Sequence, residues 1–151
     1  MEFSIVEVQE SDNKEIIQLG KSTPECQDHD GPPSFLTEHM MSGYIKSPHD
    51  LFLKAISDAG KLLGIIMVSY SQYTKVAYVE NIIVKAAYRK KGIASMLMDH
   101  ALENLNKKGC VDVWALVHED NEYMLEFTKR RGYKKGRKFF LVEKSLGVSE
   151  E

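Results

Sequence analysis

The chain predicts a mixed α/β fold, with a mixed, mostly antiparallel sheet and helices on both faces, in the order β-α-α-β-β-β-α-β-α-β. Three observations carry this. First, three β-branched segments, residues 51–56, 62–70 and 76–85, follow one another across short turns at Asp58-Ala59-Gly60 and 72–75, which describes an antiparallel meander. Second, two helical stretches then alternate with strands, each closed by a glycine. Third, a strand and two helices precede the meander.

Taken in order, residues 3–8 alternate apolar and polar side chains, as a half-buried strand does. Ser11, with Glu15 nearby, suits a capped helix running to Leu19. Residues 21–33 contain Pro24, Gly31, Pro32 and Pro33 and predict a loop. Helical spacing resumes through Phe35, Leu36, Met40, Met41 and Tyr44, so a second helix is expected over 35–45. After the meander, Ile93, Met96, Leu97, Ala101, Leu102 and Leu105 form one apolar stripe at 3.6-residue spacing, predicting a helix over 93–107 stopped by Gly109. A strand over 111–117, a helix over 121–131 closed by Gly132 and a final strand over 139–144 complete the order.

Composition bounds the class. With 151 residues, 43% hydrophobic and 28% charged, the chain suits one domain over 1–151 with a real core. The longest apolar run, 65–68 extended by Leu62 and Leu63 across Gly64, falls far short of the roughly 20 residues of a membrane-spanning helix. The start, MEFSIVEVQESD, has neither the basic n-region nor the apolar core of a signal peptide, and Cys26 and Cys110 make no disulfide framework. A reducing cytoplasm is the expected compartment.

The chemistry concentrates at 79–98, where a β-branched strand runs through a short basic turn into the helix that opens at Ile93. The first N–H groups of a helix have no intrahelical partner, and its dipole puts positive potential there. Gly92 lacks the Cβ that would hold a phosphate away, and Arg89, Lys90 and Lys91 add charge. The segment is built for an anion.

Arg89-Lys90-Lys91-Gly92-Ile93-Ala94 resembles the Arg/Gln-x-x-Gly-x-Gly/Ala signature of the GNAT acyltransferase superfamily. The preceding strand segment and the later NEYMLEFTKRRGY fall where that family places its strand and second motif, and the likeness covers about 61–146. The resemblance implies that Arg89, Lys90, Lys91, Gly92, Ile93, Ala94 and Ser95 cradle the pyrophosphate of acetyl-coenzyme A, with no metal. It further implies that the central strand and the one after the phosphate-binding helix splay apart, so that backbone groups at Ile82, Ile83 and Val84 bond the pantetheine arm. The side chains of those three residues read as ordinary sheet core. Residues 61–146 would then form the coenzyme core and 1–58 the acceptor side.

Acyl transfer to an amine needs a neutral amine lone pair, a polarised thioester and a proton for the departing thiolate. Family members often place a carboxylate where Glu80 stands, which makes it the candidate base; the plain alternative is a surface carboxylate paired with a cation. Asn121 matches a coenzyme contact of the second motif, and is also a natural helix N-cap. Seven residues on, the family's usual tyrosine acid is replaced by Thr128, whose hydroxyl is far less acidic than a phenol at pKa about 10. Tyr123 or His118 stands near enough in sequence to substitute, or the thiolate leaves unaided because thiols ionise near pKa about 8.5.

Two patterns lead elsewhere. Gly20-Lys21-Ser22 resembles the end of a phosphate-binding P-loop, but Glu15 stands where its leading glycine belongs and a helix precedes it. Cys26, Asp28, His29, Asp30 and His39 cluster like metal ligands without the paired spacing of a structural zinc site; by resemblance their loop borders the acceptor. Residues 1–58 carry 11 acidic and 4 basic side chains, net −7, against net +5 in the remainder. An acidic acceptor side favours a cationic amine, such as a polyamine, an aminoglycoside or a basic peptide, although an ordinary solvated surface explains the charges too. The basic run from Lys129 to Lys138 raises nucleic-acid binding as a rival, against which stand the net charge of −2 and a pI near 6.2.

The expected activity is N-acetyl transfer from acetyl-coenzyme A to a primary amine, a small cation or a peptide N-terminus or lysine, in a ternary complex. A catalytically silent acyl-coenzyme A sensor on the same fold is the alternative, suggested by Thr128. No membrane partner is expected, and by resemblance a homodimer is compatible.

Overall fold

The computed structural model describes residues 2–24, 36–140, 142 and 144. It divides into two compact units, Met1–Leu116 and Val117–Glu151. The first holds β1 (Phe3–Glu7), a 3-10 turn (Glu10–Asp12), α1 (Asn13–Lys21), α2 (Glu38–Lys46), β2 (Leu51–Ser57), β3 (Leu62–Ser71), β4 (Val76–Val84), a second 3-10 turn (Ala86–Tyr88), α3 (Ile93–Lys107) and β5 (Asp112–Ala115). The second holds α4 (Glu122–Arg130).

The five strands lie in sequence order in one sheet, the first four antiparallel and β5 parallel to β4. The mixed, mostly antiparallel sheet and its helices follow the expected order through α4. β3 explains the layering. All residues from Leu62 to Val68 are buried, on both faces of the pleat, so both faces must be covered. On one face Ile16 and Leu19 of α1, Leu36 and Met41 of the α2 region, and Phe52, Ile65, Met67 and Ile83 of the sheet make one apolar cluster. On the other, α3 packs across β2, β3 and β4 with Ile93, Leu97, Met98, Ala101 and Leu105 buried; the expected stripe holds at Ile93, Leu97, Ala101 and Leu105, whereas Met96 is exposed, Leu102 is half-buried and Met98 joins the buried face.

The helix boundaries differ from expectation where polar side chains decide them. The capping box is formed not by Ser11 and Glu15 but by Gln9 and Asp12, with the Gln9 N–H donating to Asp12 Oδ2 at 2.8 Å. Asp12 also accepts from Lys54 Nζ at 2.7 Å, tying the start of α1 to β2. Thr37 caps α2, its hydroxyl accepting from the Met40 N–H, so that helix begins at Glu38. Phe35 and the possible ligands Cys26, Asp28, His29 and Asp30 lie outside the described residues. β5 is shorter than the 111–117 expected.

The closing strand expected over 139–144 does not form among the described residues. Phe139, Phe140 and Val142 are exposed and lie in no ladder. Strand propensity is realised only against a partner strand and a buried face. No helix of the described residues is long and apolar enough to cross a membrane.

Candidate functional site

The basic turn before α3 is held in an unusual backbone. Lys90 has φ 60° and Gly92 φ 80°, both left-handed. Glycine adopts that region freely, whereas lysine does so at a cost. Gly92 is the N-cap of α3 and its carbonyl accepts from the Met96 N–H at 3.0 Å. It offers no side chain to cap the N–H groups of Ile93, Ala94 and Ser95, and the first turn of α3 has no acidic residue, whereas α1, α2 and α4 carry Glu15, Glu38 and Glu122 there. The positive end of this helix therefore has no acidic side chain of its first turn to offset it.

The surroundings are basic. Arg89, Lys90 and Lys91 are exposed. Arg89 Nε donates to the Val84 carbonyl at 3.1 Å, fastening the turn to the end of β4. Lys61 and Lys91 place their ammonium groups 5.4 and 5.7 Å from the centre of the Tyr88 ring. The neighbouring Lys61, through a hydrogen bond, pulls the Tyr88 phenol below its ordinary value, and Tyr88 in turn raises Lys61. A cavity of about 560 Å³ opens between the second half of α1 and Lys85, Ala86 and Arg89.

Beside this loop the sheet opens. β4 pairs with β5 only from Val76 to Val79, against Asp112 to Ala115. From Glu80 to Val84 the side of β4 away from β3 has no strand partner among the described residues. On the other side the β3 register slips between Met67 and Val68, so that Met67 faces Asn81 while Val68 faces Val79. Glu80 is therefore the extra residue of a β-bulge, at the place where β4 parts from β5. Ile83 is buried in the core and Ile82 and Val84 are half-buried, in keeping with side chains that serve the sheet.

Glu80 is exposed and its Oε1 accepts from Ser69 Oγ at 2.6 Å. Tyr44 on α2 has its pKa raised to about 12, by burial first and then by the negative charges of Glu80 and Asp50. Asp50 caps the exposed run of β3, accepting the Tyr70 N–H at 2.9 Å, and lines a small cavity of about 70 Å³ with Tyr44 and Ser47. On the same face Ser69 pairs with Tyr78 and Tyr78 with Trp114, whose rings meet edge to face at 5.4 Å and are largely exposed. Sequence reasoning singled out Glu80 but missed Tyr44, Asp50 and Ser69. The tight β3–β4 turn could have placed Ser69 diagonally from Glu80; nothing in the sequence sets Tyr44 beside them.

In the second unit, Asn121 Oδ1 accepts the Met124 N–H at 3.1 Å, so the residue is the N-cap of α4. The Thr128 hydroxyl is directed at its own helix, toward the carbonyls of Met124 and Leu125 at 2.9 and 3.1 Å. Tyr123 is 62% exposed. His118 is exposed, and its Nδ1 accepts the Asp120 N–H at 3.2 Å. Among the described residues no group of three His, Cys, Asp or Glu side chains is arranged to hold a metal ion.

The model of the acetyltransferase (GNAT) family matches residues 14–133. The chain belongs to the GNAT acetyltransferase family. Within that family it is 32% identical over 79 residues to streptothricin acetyltransferase of Streptomyces lavendulae, a match spanning 52% of this chain and 42% of that relative. Among solved structures, this GNAT chain shares its fold with aminoglycoside 6'-N-acetyltransferase AAC(6')-Ih of Acinetobacter baumannii, at TM-score 0.75 and 20% identity over 97% of this chain and 100% of the other. It also resembles the PaiA N-acetyltransferase of Thermoplasma acidophilum in complex with coenzyme A (TM-score 0.78, 20% identity, 89% and 91% covered). A further match is the ribosomal-protein-S18-alanine N-acetyltransferase of Escherichia coli (TM-score 0.72, 18% identity, 90% and 80% covered).

Proposed function

We propose that this GNAT protein is an N-acetyltransferase that moves the acetyl group of acetyl-coenzyme A to a primary amine by direct attack in a ternary complex. The observation that carries the reading is the parting of β4 from β5 at Glu80. It leaves a free strand edge leading from a candidate base to an anion-binding helix start, which is the layout a long phosphorylated thioester requires. Arg89, Lys90, Lys91 and the N–H groups from Gly92 to Ser95 take the pyrophosphate, and the edge at Ile82, Ile83 and Val84 takes the amide-bearing arm.

In the reaction, the amine nitrogen attacks the thioester carbonyl carbon, Glu80 accepts the proton the nitrogen loses, and the carbon–sulfur bond breaks to give the amide and coenzyme A. Of the candidates for protonating the thiolate, Tyr123 and His118 both have exposed side chains. Thr128 is disfavoured because its hydroxyl serves its own helix. The acceptor is read as cationic: Glu80 and Asp50 both act on Tyr44, so the local field is negative, and the exposed Tyr78 and Trp114 rings suit a cation at close range. Streptothricin and aminoglycoside acetyltransferases among the relatives fit this reading.

The test is titration of acetyl-coenzyme A by calorimetry, followed by assay of thiol release with spermidine, kanamycin and a lysine-containing basic peptide. Binding with release that depends on one of these acceptors is expected, with Glu80→Gln slowing turnover while leaving coenzyme affinity unchanged. Tyr123→Phe lowers turnover where Thr128→Val does not. Binding without release would instead support a silent sensor, and absence of binding would remove the coenzyme assignment.

A further inference from the structure

Followed back from the basic turn, β4 runs from Val84 to Glu80 and then, where β5 joins it, to Tyr78. Tyr78 lies directly opposite Ser69 of β3 on one side and Trp114 of β5 on the other, and residues paired in this way share a face of the sheet. Ser69 Oγ donates to Glu80 Oε1 at 2.6 Å, so the Glu80 carboxylate stands over that face as well. The next row holds Ser71, Val76 and Asp112, and neither row contains a basic side chain. Large aromatic side chains ordinarily bury their surface. Here Tyr78 is 40% and Trp114 53% exposed, and the two rings meet edge to face at 5.4 Å. In such a pair one ring lends its edge, which leaves its own π face, the negative part of its quadrupole, to another partner. The Asp112 carboxylate makes no hydrogen bond or ion pair among the described residues and adds negative charge beside Trp114.

We propose that Tyr78 and Trp114 form a platform for the acceptor, holding a second cationic group of that molecule about 7 Å from the amine at Glu80, the length of two residues of strand. An extended chain of about four methylenes reaches that far. The position assigns the rings to the acceptor and not to the cosubstrate. The amide-bearing arm needs the strand edge that opens at Glu80, and at Tyr78 that edge is already bonded to β5. A molecule lying over the rings therefore comes to the thioester from the end opposite the phosphates, the end left for the attacking nitrogen. A ring face attracts an ammonium without fixing its hydrogen bonds, so primary and secondary ammonium groups both fit. The platform rests on the reading of Glu80 as the base of an N-acetyltransferase, and it makes that enzyme selective for acceptors with two or more cationic groups.

Trp114 is the single tryptophan of the chain, so its emission reports on the platform without any turnover. Diaminobutane and butylamine share a carbon chain and differ in the second ammonium group. The protein is titrated with each at matched ionic strength, and acetyl transfer from acetyl-coenzyme A to each is measured for the wild type, Trp114→Leu, Trp114→Phe and Tyr78→Leu. The wild type is expected to change its emission saturably, at about tenfold lower concentration of diaminobutane than of butylamine, and to favour diaminobutane about tenfold in kcat/KM. Trp114→Leu and Tyr78→Leu, which keep apolar bulk without a π face, each lower that preference about threefold to fivefold, whereas Trp114→Phe keeps most of it. A loss of the same size for both amines in Trp114→Leu overturns the platform, because a purely structural role would not tell them apart. Transfer without preference and without a change in emission overturns it as well. An emission that follows protein dilution and ignores the diamine makes this face an interface between copies of the chain, which also overturns it. No transfer to either amine, to spermidine, to kanamycin or to the basic peptide, with the emission response to diaminobutane intact, removes the transferase reading while the hold of the rings on the cation stands.

Discussion

Two residues of the basic turn, Lys90 and Gly92, sit in left-handed backbone, and they separate folding from binding. A Cβ built on Gly92 meets nothing within 4 Å, so Gly92→Ala costs only the conformational penalty, about 1 to 2 kcal/mol, readable by denaturant melts. Gly92→Asp adds a charge facing the anion and is expected to abolish coenzyme binding in a folded protein; unchanged affinity by calorimetry would sink the site. Tyr44 gives a pH signature. Its pKa is raised in the fold from 10 to about 12, so the folded state holds the proton more tightly than the unfolded one. Its contribution is complete below about pH 10 and lost as pH rises to about 12. Tyr44→Phe removes that titration, so thermal melts between pH 9 and 11.5 decline less steeply for the variant than for the wild type.

At the scale of elements, Asp12 joins three parts: the turn before α1, the Gln9 N–H and Lys54 of β2. Both charges of the pair are largely shielded, their side chains 15% and 18% exposed. Asp12→Ala strands the lysine and uncaps the turn, and is expected to destabilise by about 1 to 3 kcal/mol in chemical unfolding. Such links mark where sequence reading stopped. Hydrophobic spacing located α3 to the residue, because its stripe is a local property, and it located the meander for the same reason. Over 139–144 the described residues Phe139, Phe140 and Val142, strand-like in their side chains, lie in no ladder. Ser11 looked like the cap because the pattern fits, but Gln9 and Asp12 form the box, and a lysine from a distant strand holds Asp12 in place. Glu80 was legible as a carboxylate in a strand; its bulge, its serine and the tyrosine from α2 are tertiary facts.

For the molecule as a whole, charge is divided between an acidic first part and a basic remainder. On the proposed site, the exposed cluster of Arg89, Lys90 and Lys91 would tie coenzyme affinity to ionic strength. Raising salt from about 0.05 to 0.5 M is expected to weaken acetyl-coenzyme A binding several-fold by calorimetry, whereas an uncharged pantetheine fragment responds little. A shift in melting temperature offers a second check, since coenzyme at about 100 times its Kd adds about 2.7 kcal/mol to stability.

The stretch of β4 from Glu80 to Val84, which has no second strand partner among the described residues, has a consequence beyond the proposed catalysis. An open strand edge is indifferent to what completes it, and an extended segment of any other chain satisfies the same donors and acceptors. On the proposed reading the cosubstrate would also be a guard: seated along the edge it would deny it to stray polypeptide, and a protein stripped of coenzyme would trade a vacant catalytic seat for a propensity to stick.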